Sequence, residues 1–93
     1  IIIDPGFGFS KNTQQNYELL NNLEFFKEFQ RPIIIGISRK SMIYKTLDIT
    51  PEKALNGSSV LHTISLMKGA NILRTHDVKE AVECVKLVSQ LNS

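Results

Sequence analysis

The stretch "IIIGISRKS", residues 33–41, runs from an apolar segment straight into two hydroxyls and two cations. An Ile-rich run without apolar–polar alternation reads as a strand covered on both faces, the habit of parallel sheets. Two other stretches read the same way, "III" at 1–3 and "ANILRT" at 70–75. In "NYELLNNLEFFKEFQ" (16–30), Leu19, Leu20, Leu23 and Phe26 follow a period near 3.6, and Pro32 stops that helix before the next strand. "TPEKALNGSSVLHTISLMKG" (50–69) opens with Thr50 as a cap and Pro51 at the first helical position. The Asn56-Gly57 pair predicts an interruption there, then a longer helix ending at Gly69. Asp77 to Glu80 form an acidic variant of the capping box, and Val78, Ala81, Val82, Val85 and Val88 share one apolar face.

The order is therefore strand then helix, three times. Strands joined by crossover helices are parallel, and the crossovers are right-handed in nearly all cases. The fold class is α/β, which leaves open a doubly wound sheet or an arc of a (β/α)₈ barrel.

Composition narrows the function classes. The chain has 93 residues, 42% hydrophobic and 22% charged, with a net charge of +2, as in an ordinary globular domain. Eleven Lys and Arg are spread among nine acids, and no basic run exceeds two residues, so nucleic acid is not an expected partner. No apolar run reaches the ~20 residues of a membrane helix, and no secretory signal is present. The single Cys84 cannot form an internal disulfide, which fits a reducing, cytoplasmic setting; within an apolar-periodic helix it reads as semi-buried. Opening directly on a strand, the chain reads as a fragment.

In a parallel α/β sheet the carboxyl ends of all strands lie on one edge, where ligands bind. Here those ends carry "DPGFGF" (4–9), "SRKS" (38–41) and "RTHD" (74–77). Asp4 is either a turn residue bonding its own backbone or a carboxylate accepting two N–H bonds from a flat heterocycle. Gly6 and Gly8 allow close backbone approach or positive φ, while Phe7 and Phe9 either pack in the core or wall a ring slot. Ser38 reads as the cap of the next helix. Arg39 and Lys40 oppose a helix dipole there, a local conflict that points to function. Ser41 and the N–H groups at that helix start suit an anion such as a carboxylate. Lys40 suits a carbonyl or ring nitrogen, with its stem against an aromatic face. Arg74 leaves a buried strand, His76 points to the same side two residues on, and together they suit phosphate or pyrophosphate. Asp77 reads as an N-cap outside the chemistry. His62, within a helix and without a suitably spaced acidic partner, reads as structural rather than metal-binding.

These three motifs, in this order and spacing, resemble the dihydropteroate synthase family over essentially the whole chain. "DPGFGF", "GISRKSMI" and "GANILRTHDVKEAV" look like the last three strand–helix units of its (β/α)₈ barrel, so residues 1–93 are expected to be the C-terminal part of an incomplete domain. The resemblance implies folate biosynthesis: a transferase joining 6-hydroxymethyl-7,8-dihydropterin pyrophosphate to p-aminobenzoate, with release of pyrophosphate. It implies Asp4 and Lys40 for the pterin; Phe9, Arg39 and Ser41 around p-aminobenzoate; and Arg74 and His76 on the pyrophosphate. Lys40, Arg74 and His76 are then the catalytic set. Sulfonamides would compete at the p-aminobenzoate pocket, and Mg²⁺ would accompany the pyrophosphate on ligands outside this chain. Tyr44 departs from the glycine common after "SRKSMI" and implies altered packing.

A whole barrel takes about 250 residues, so three units are expected to lack turnover and to self-associate, as a homodimer, through open edges and an uncovered face. Two rival readings remain at this point. One is a pterin-binding methyltransferase barrel, which shares the carboxylate but has no use for the "SRKS" and "RTH" subsites. The other is a non-catalytic phosphate-binding α/β module.

Overall fold

A computed structural model describes residues 1–91. Its centre is the run after Pro32, where Ile33, Ile35 and Ile37 alternate onto one face and are buried, as the two-residue period of a strand requires. β1 (Ile34–Ile35) pairs in parallel with β2 (Ile72–Leu73), Ile34 opposite Ile72 and Ile35 opposite Leu73. On the other side Ile3 bridges Ile33, also in parallel. Ile3 N–H donates to the Pro32 carbonyl at 2.8 Å, and Ile34 N–H to the Ile3 carbonyl at 2.9 Å. The three apolar runs are thus parallel neighbours with the second in the middle, three consecutive strand–helix units consistent with an arc of a (β/α)₈ barrel.

Only the middle run is enclosed. Ile1 and Ile2 are exposed, as is Ile72, and Leu73 is half-buried. The expectation of three strands buried on both faces is corrected accordingly: the outer two have a neighbour on one side only, and their regular ladder shrinks to a bridge and a pair.

The first crossover begins at α1 (Thr13–Asn21), capped by a reciprocal Asn12–Gln15 box. The single helix expected over 16–30 splits at Asn22, whose amide donates to the Glu18 carbonyl at 2.8 Å, a local bond that competes with continued helix. A 3₁₀ helix follows over Leu23–Phe29 and ends at Gln30 in the left-handed region, φ 53°. Leu20 and Leu23 still reach the core, beside Phe7, Met42, Ile43 and Leu61.

α2 spans Ser41–Leu47, a short 3₁₀ helix Pro51–Lys53, and α3 Leu55–Met67. The interruption lies at Ala54, not at Asn56-Gly57, which sits inside the first turn of α3. Packing explains this glycine. A Cβ on Gly57 would lie 2.4 Å from Ile43 Cγ2, so the missing side chain is what lets α3 cross α2 closely. Thr50 precedes Pro51 as expected but makes no side-chain capping bond.

α4 (Val78–Leu91) divides its apolar stripe. Ala81, Cys84 and Val88 are buried, with Cys84 Sγ 3.6 Å from the Ser59 carbonyl on α3. Val78, Val82 and Val85 stay exposed and form an open apolar groove with Leu73. The single-face reading is corrected to this extent: half the stripe meets α3, and half lies beside the uncovered edge of β2. His62 is buried on α3 as a core residue, and burial holds its imidazole below the usual pKa. Among the described residues no helix is long and apolar enough to cross a membrane.

Gly57→Ala tests the close crossing. Helix propensity alone would favour Ala by about 1 kcal/mol, but the clash with a stiff, buried Ile43 should outweigh it and destabilise the fold by about 1–3 kcal/mol. Denaturant unfolding should show the loss, and an Ile43→Ala background should abolish it. A stabilised Gly57→Ala protein would contradict the packing account.

Candidate active site

Parallel pairing sends the three strand ends to one edge, and their loops meet there. In the first loop, Phe7 turns inward (1% exposed) while Phe9 turns out (67%), which resolves the two fates open to them. Asp4 makes the turn bond expected of it and also faces the third loop. Its Oδ1 accepts the Gly6 N–H at 2.9 Å, a turn bond, and its Oδ2 lies 3.7 Å from Arg74 Nη2. The loop is held from below by Asn16, a buried amide whose Oδ1 accepts the Gly8 N–H at 2.9 Å, and by Lys11 Nζ on the Gly6 carbonyl at 3.0 Å.

Lys40 crosses from the second loop to the first. Its Nζ donates to the Phe7 carbonyl at 2.6 Å and sits 5.5 Å from the centre of the Phe9 ring, within cation–π range. Desolvation lowers its pKa, the nearby Arg74 charge lowers it further, and Asp4 raises it. Lys40 is also the N-cap of α2, without a side-chain capping bond. That corrects the reading of Ser38 as the cap: Ser38 is buried and bonds instead to the third loop.

Arg39 is the most constrained residue of the rim. It stands at φ 55°, an uncommon region for a residue with a Cβ. Its N–H donates to Ser58 Oγ at 2.9 Å. Its guanidinium grips Asp77 through two bonds, Nε to Oδ2 at 2.8 Å and Nη2 to Oδ1 at 2.9 Å. Nη1 donates to the carbonyls of Pro51 and Glu52, both at 2.9 Å. Asp77 stands just before α4, with its carbonyl accepting the Ala81 N–H at 3.0 Å, and its side chain has this further partner. Its carboxylate locks the second loop to the third, and the Arg39 bond holds it below the usual carboxylate pKa.

In the third loop Arg74 is half-exposed, and its guanidinium lies over Gly36, just beyond β1. Gly36 makes this possible: a Cβ there would come 2.4 Å from Arg74 Nη2. His76, also exposed, has its Nδ1 2.9 Å from Ser38 Oγ.

Two hollows result, and Lys40 lines both. One of about 470 Å³ is bounded by Phe7, Phe9, Arg39, Lys40, Ser41 and Tyr44. The other, about 140 Å³, is bounded by Gly36, Ser38, Lys40, Arg74 and His76. The first offers an aromatic wall, an ammonium and a hydroxyl, which suit a flat ring bearing an anionic group. The second offers guanidinium, imidazole and ammonium, which suit a polyanion. A larger cleft, about 720 Å³, opens at the amino ends of the strands beside Lys27, Arg31, Met67 and Asn71. In parallel α/β folds that end serves stability, and none of the three motifs reaches it.

All seven residues singled out from the sequence (Asp4, Phe9, Arg39, Lys40, Ser41, Arg74 and His76) stand on this edge. Sequence reasoning missed Asn16, Gly36 and the pairing of Asp77 with Arg39, and misassigned Ser38. The glycine inside an isoleucine run was a readable signal of close approach; the others depend on partners far along the chain.

A polar rim at the carboxyl edge of a parallel sheet is where small molecules bind in α/β folds of the barrel class. The family model described as pterin binding enzyme matches residues 1–76, and the chain belongs to that family. It is 48% identical over 88 residues to dihydropteroate synthase of Escherichia coli K12, covering 95% of this chain and 31% of the relative. With the Haemophilus influenzae dihydropteroate synthase it shares 44% identity over 87 residues, 94% of this chain and 32% of the relative. The crystal structure of Yersinia pestis dihydropteroate synthase superposes with a TM-score of 0.95 at 43% identity, over 98% of this chain and 37% of that one. The Coxiella burnetii dihydropteroate synthase in complex with pteroic acid gives 0.95 at 44% identity, over 100% and 35%. The chain thus spans about a third of the length of the curated relatives it matches.

The Asp77 clamp has a pH signature. A carboxylate with a lowered folded pKa contributes stability above its unfolded pKa, about 3.9, and loses it as pH falls through the folded value. Burial of neutral His62 gives a separate loss that begins higher, below about pH 6.5. Asp77→Asn should therefore flatten the melting temperature profile below about pH 4 and spare the higher limb. An unchanged acid limb would show that the clamp does not contribute.

Proposed function

We propose that this chain supplies the substrate-holding rim of a dihydropteroate synthase, as the C-terminal three strand–helix units of its barrel. The observation that carries the reading is Lys40 standing between two hollows, one fit for a ring and its anion, the other for a polyanion. Solved relatives support it: the Yersinia pestis enzyme has been crystallised with a sulfonamide drug and with a pterine–sulfa conjugate, and the Xanthomonas albilineans enzyme with 7,8-dihydropteroate.

The reaction breaks the bond between the pterin methylene carbon and a pyrophosphate oxygen and forms one from that carbon to the p-aminobenzoate nitrogen, which releases a proton. The leaving anion must be stabilised and the amine positioned; no nucleophilic side chain is needed. Asp4 accepts hydrogen bonds from the pterin's amino-pyrimidine edge, and Lys40 contacts the ring. Arg74 and His76 receive the pyrophosphate as its charge develops. Phe9 and Ser41 bound the p-aminobenzoate space, where sulfonamides compete. Arg39 contributes its stem there, because its guanidinium is committed to Asp77 and the 51 and 52 carbonyls. Magnesium, where it accompanies the pyrophosphate, would take its protein ligands from outside this chain and would offset the charge of the leaving group. The same reading places the protein in the cytoplasm as a homodimer.

The test is synthesis of dihydropteroate by a full-length protein carrying this chain. Lys40→Ala and Arg74→Ala should each lower kcat/KM by about 10²–10³-fold, and the 93-residue chain by itself should give no turnover. Methyl transfer from methyltetrahydrofolate in place of synthesis would favour the methyltransferase reading. Binding of inorganic pyrophosphate with no response to pterin would favour a simple anion-binding module.

A further inference from the structure

Ser38 is nearly enclosed, 4% exposed, yet its hydroxyl serves three partners on the third loop. Oγ accepts the backbone N–H of His76 at 3.2 Å, meets Thr75 Oγ1 at 3.3 Å, and lies 2.9 Å from His76 Nδ1. A hydroxyl has one proton to give and two lone pairs to fill. The His76 N–H takes one lone pair. Thr75 Oγ1 accepts the Asp77 N–H at 3.0 Å and is the donor to Ser38 at 3.3 Å, which fills the second. The Ser38 proton is left for Nδ1, at 2.9 Å the shortest of the three contacts and at ordinary hydrogen-bond length.

We infer that Ser38 is a positioning residue that holds neutral His76 as the Nε2–H tautomer, so that the ring offers the small hollow a donor and not a lone pair. Which nitrogen carries the proton is set by the bond made at the other. Arg74 and Lys40, on the walls of that hollow, are donors only. With His76 as Nε2–H, the three basic side chains of that hollow, Lys40, Arg74 and His76, are all donors toward an anion. The opposite tautomer would aim a lone pair at phosphate oxygens and repel them. Ser38 thereby tunes the specificity of the subsite for an anion that accepts on all sides. The functional consequence rests on the pyrophosphate assignment above; the tautomer itself does not.

The experiment is long-range ¹H–¹⁵N NMR of the ¹⁵N-labelled chain, at a pH well above the ordinary imidazole range, with calorimetric titration of inorganic pyrophosphate. The wild type should show the His76 nitrogen pattern of an Nε2–H ring. Ser38→Ala should give mixed tautomers and about tenfold weaker pyrophosphate binding, the loss of one hydrogen bond; Ser38→Thr, which keeps the hydroxyl, should restore both. An Nδ1–H ring in the wild type, or a Ser38→Ala protein with an unaltered tautomer, would overturn the inference. The wild-type spectrum needs no variant to fold. An Nε2–H ring in a protein that does not bind pyrophosphate would uphold the orientation and sink the anion assignment instead.

Discussion

Parallel backbone pairing along the central isoleucine run is the constraint from which the rest follows. The bond from Ile34 N–H to Ile3 and that from Arg74 N–H to Ile35, at 2.9 and 2.8 Å, fix three chain segments in the same direction. Direction alone then sends three loops, separated by more than thirty residues of sequence, to one edge. An antiparallel partner on either side would deliver its loop to the opposite end and divide the site. The helical crossovers that parallel pairing demands also supply the face on which Ile33, Ile35 and Ile37 are buried.

Once assembled, the loops support one another in a closed ring. Lys40 ties the second loop to the first through the Phe7 carbonyl. Arg39 and Ser38 tie the second to the third through Asp77 and His76. Arg74 completes the ring by approaching Asp4 on the first. Each contact is a charged or polar group near the surface, individually modest in water. Their joint effect is positional, because no loop can shift without disturbing the other two. Arg39 shows the cost of that order: a side-chain-bearing residue held at positive φ, kept there by five hydrogen bonds.

Away from that edge, the apolar surface is unevenly covered. Ile1, Ile2, Ile72 and half of the α4 stripe are apolar and exposed, while the buried core lies almost wholly between β1 and the helices. Their chemistry is that of positions built to be covered. A reading as one arc of a longer closed barrel, about a third of the relatives' length, accounts for it.

Much of this was legible in the sequence. Unbroken Ile runs alternating with 3.6-period segments determined the α/β class and the parallel direction, since short-range periodicity and crossover sterics leave little else. The motifs at the strand ends then placed Asp4, Lys40 and Arg74 on one rim. Tertiary structure decided what local rules could not reach. Asn56-Gly57 looked like a break because its propensity is poor, yet Ile43 on another helix made the missing side chain an asset. Asp77 and Ser38 looked like caps because capping is the nearest use for such residues, yet partners 38 positions away claimed both side chains. Local sequence encodes what neighbours along the chain can do for one another; which distant group arrives first is settled only by packing.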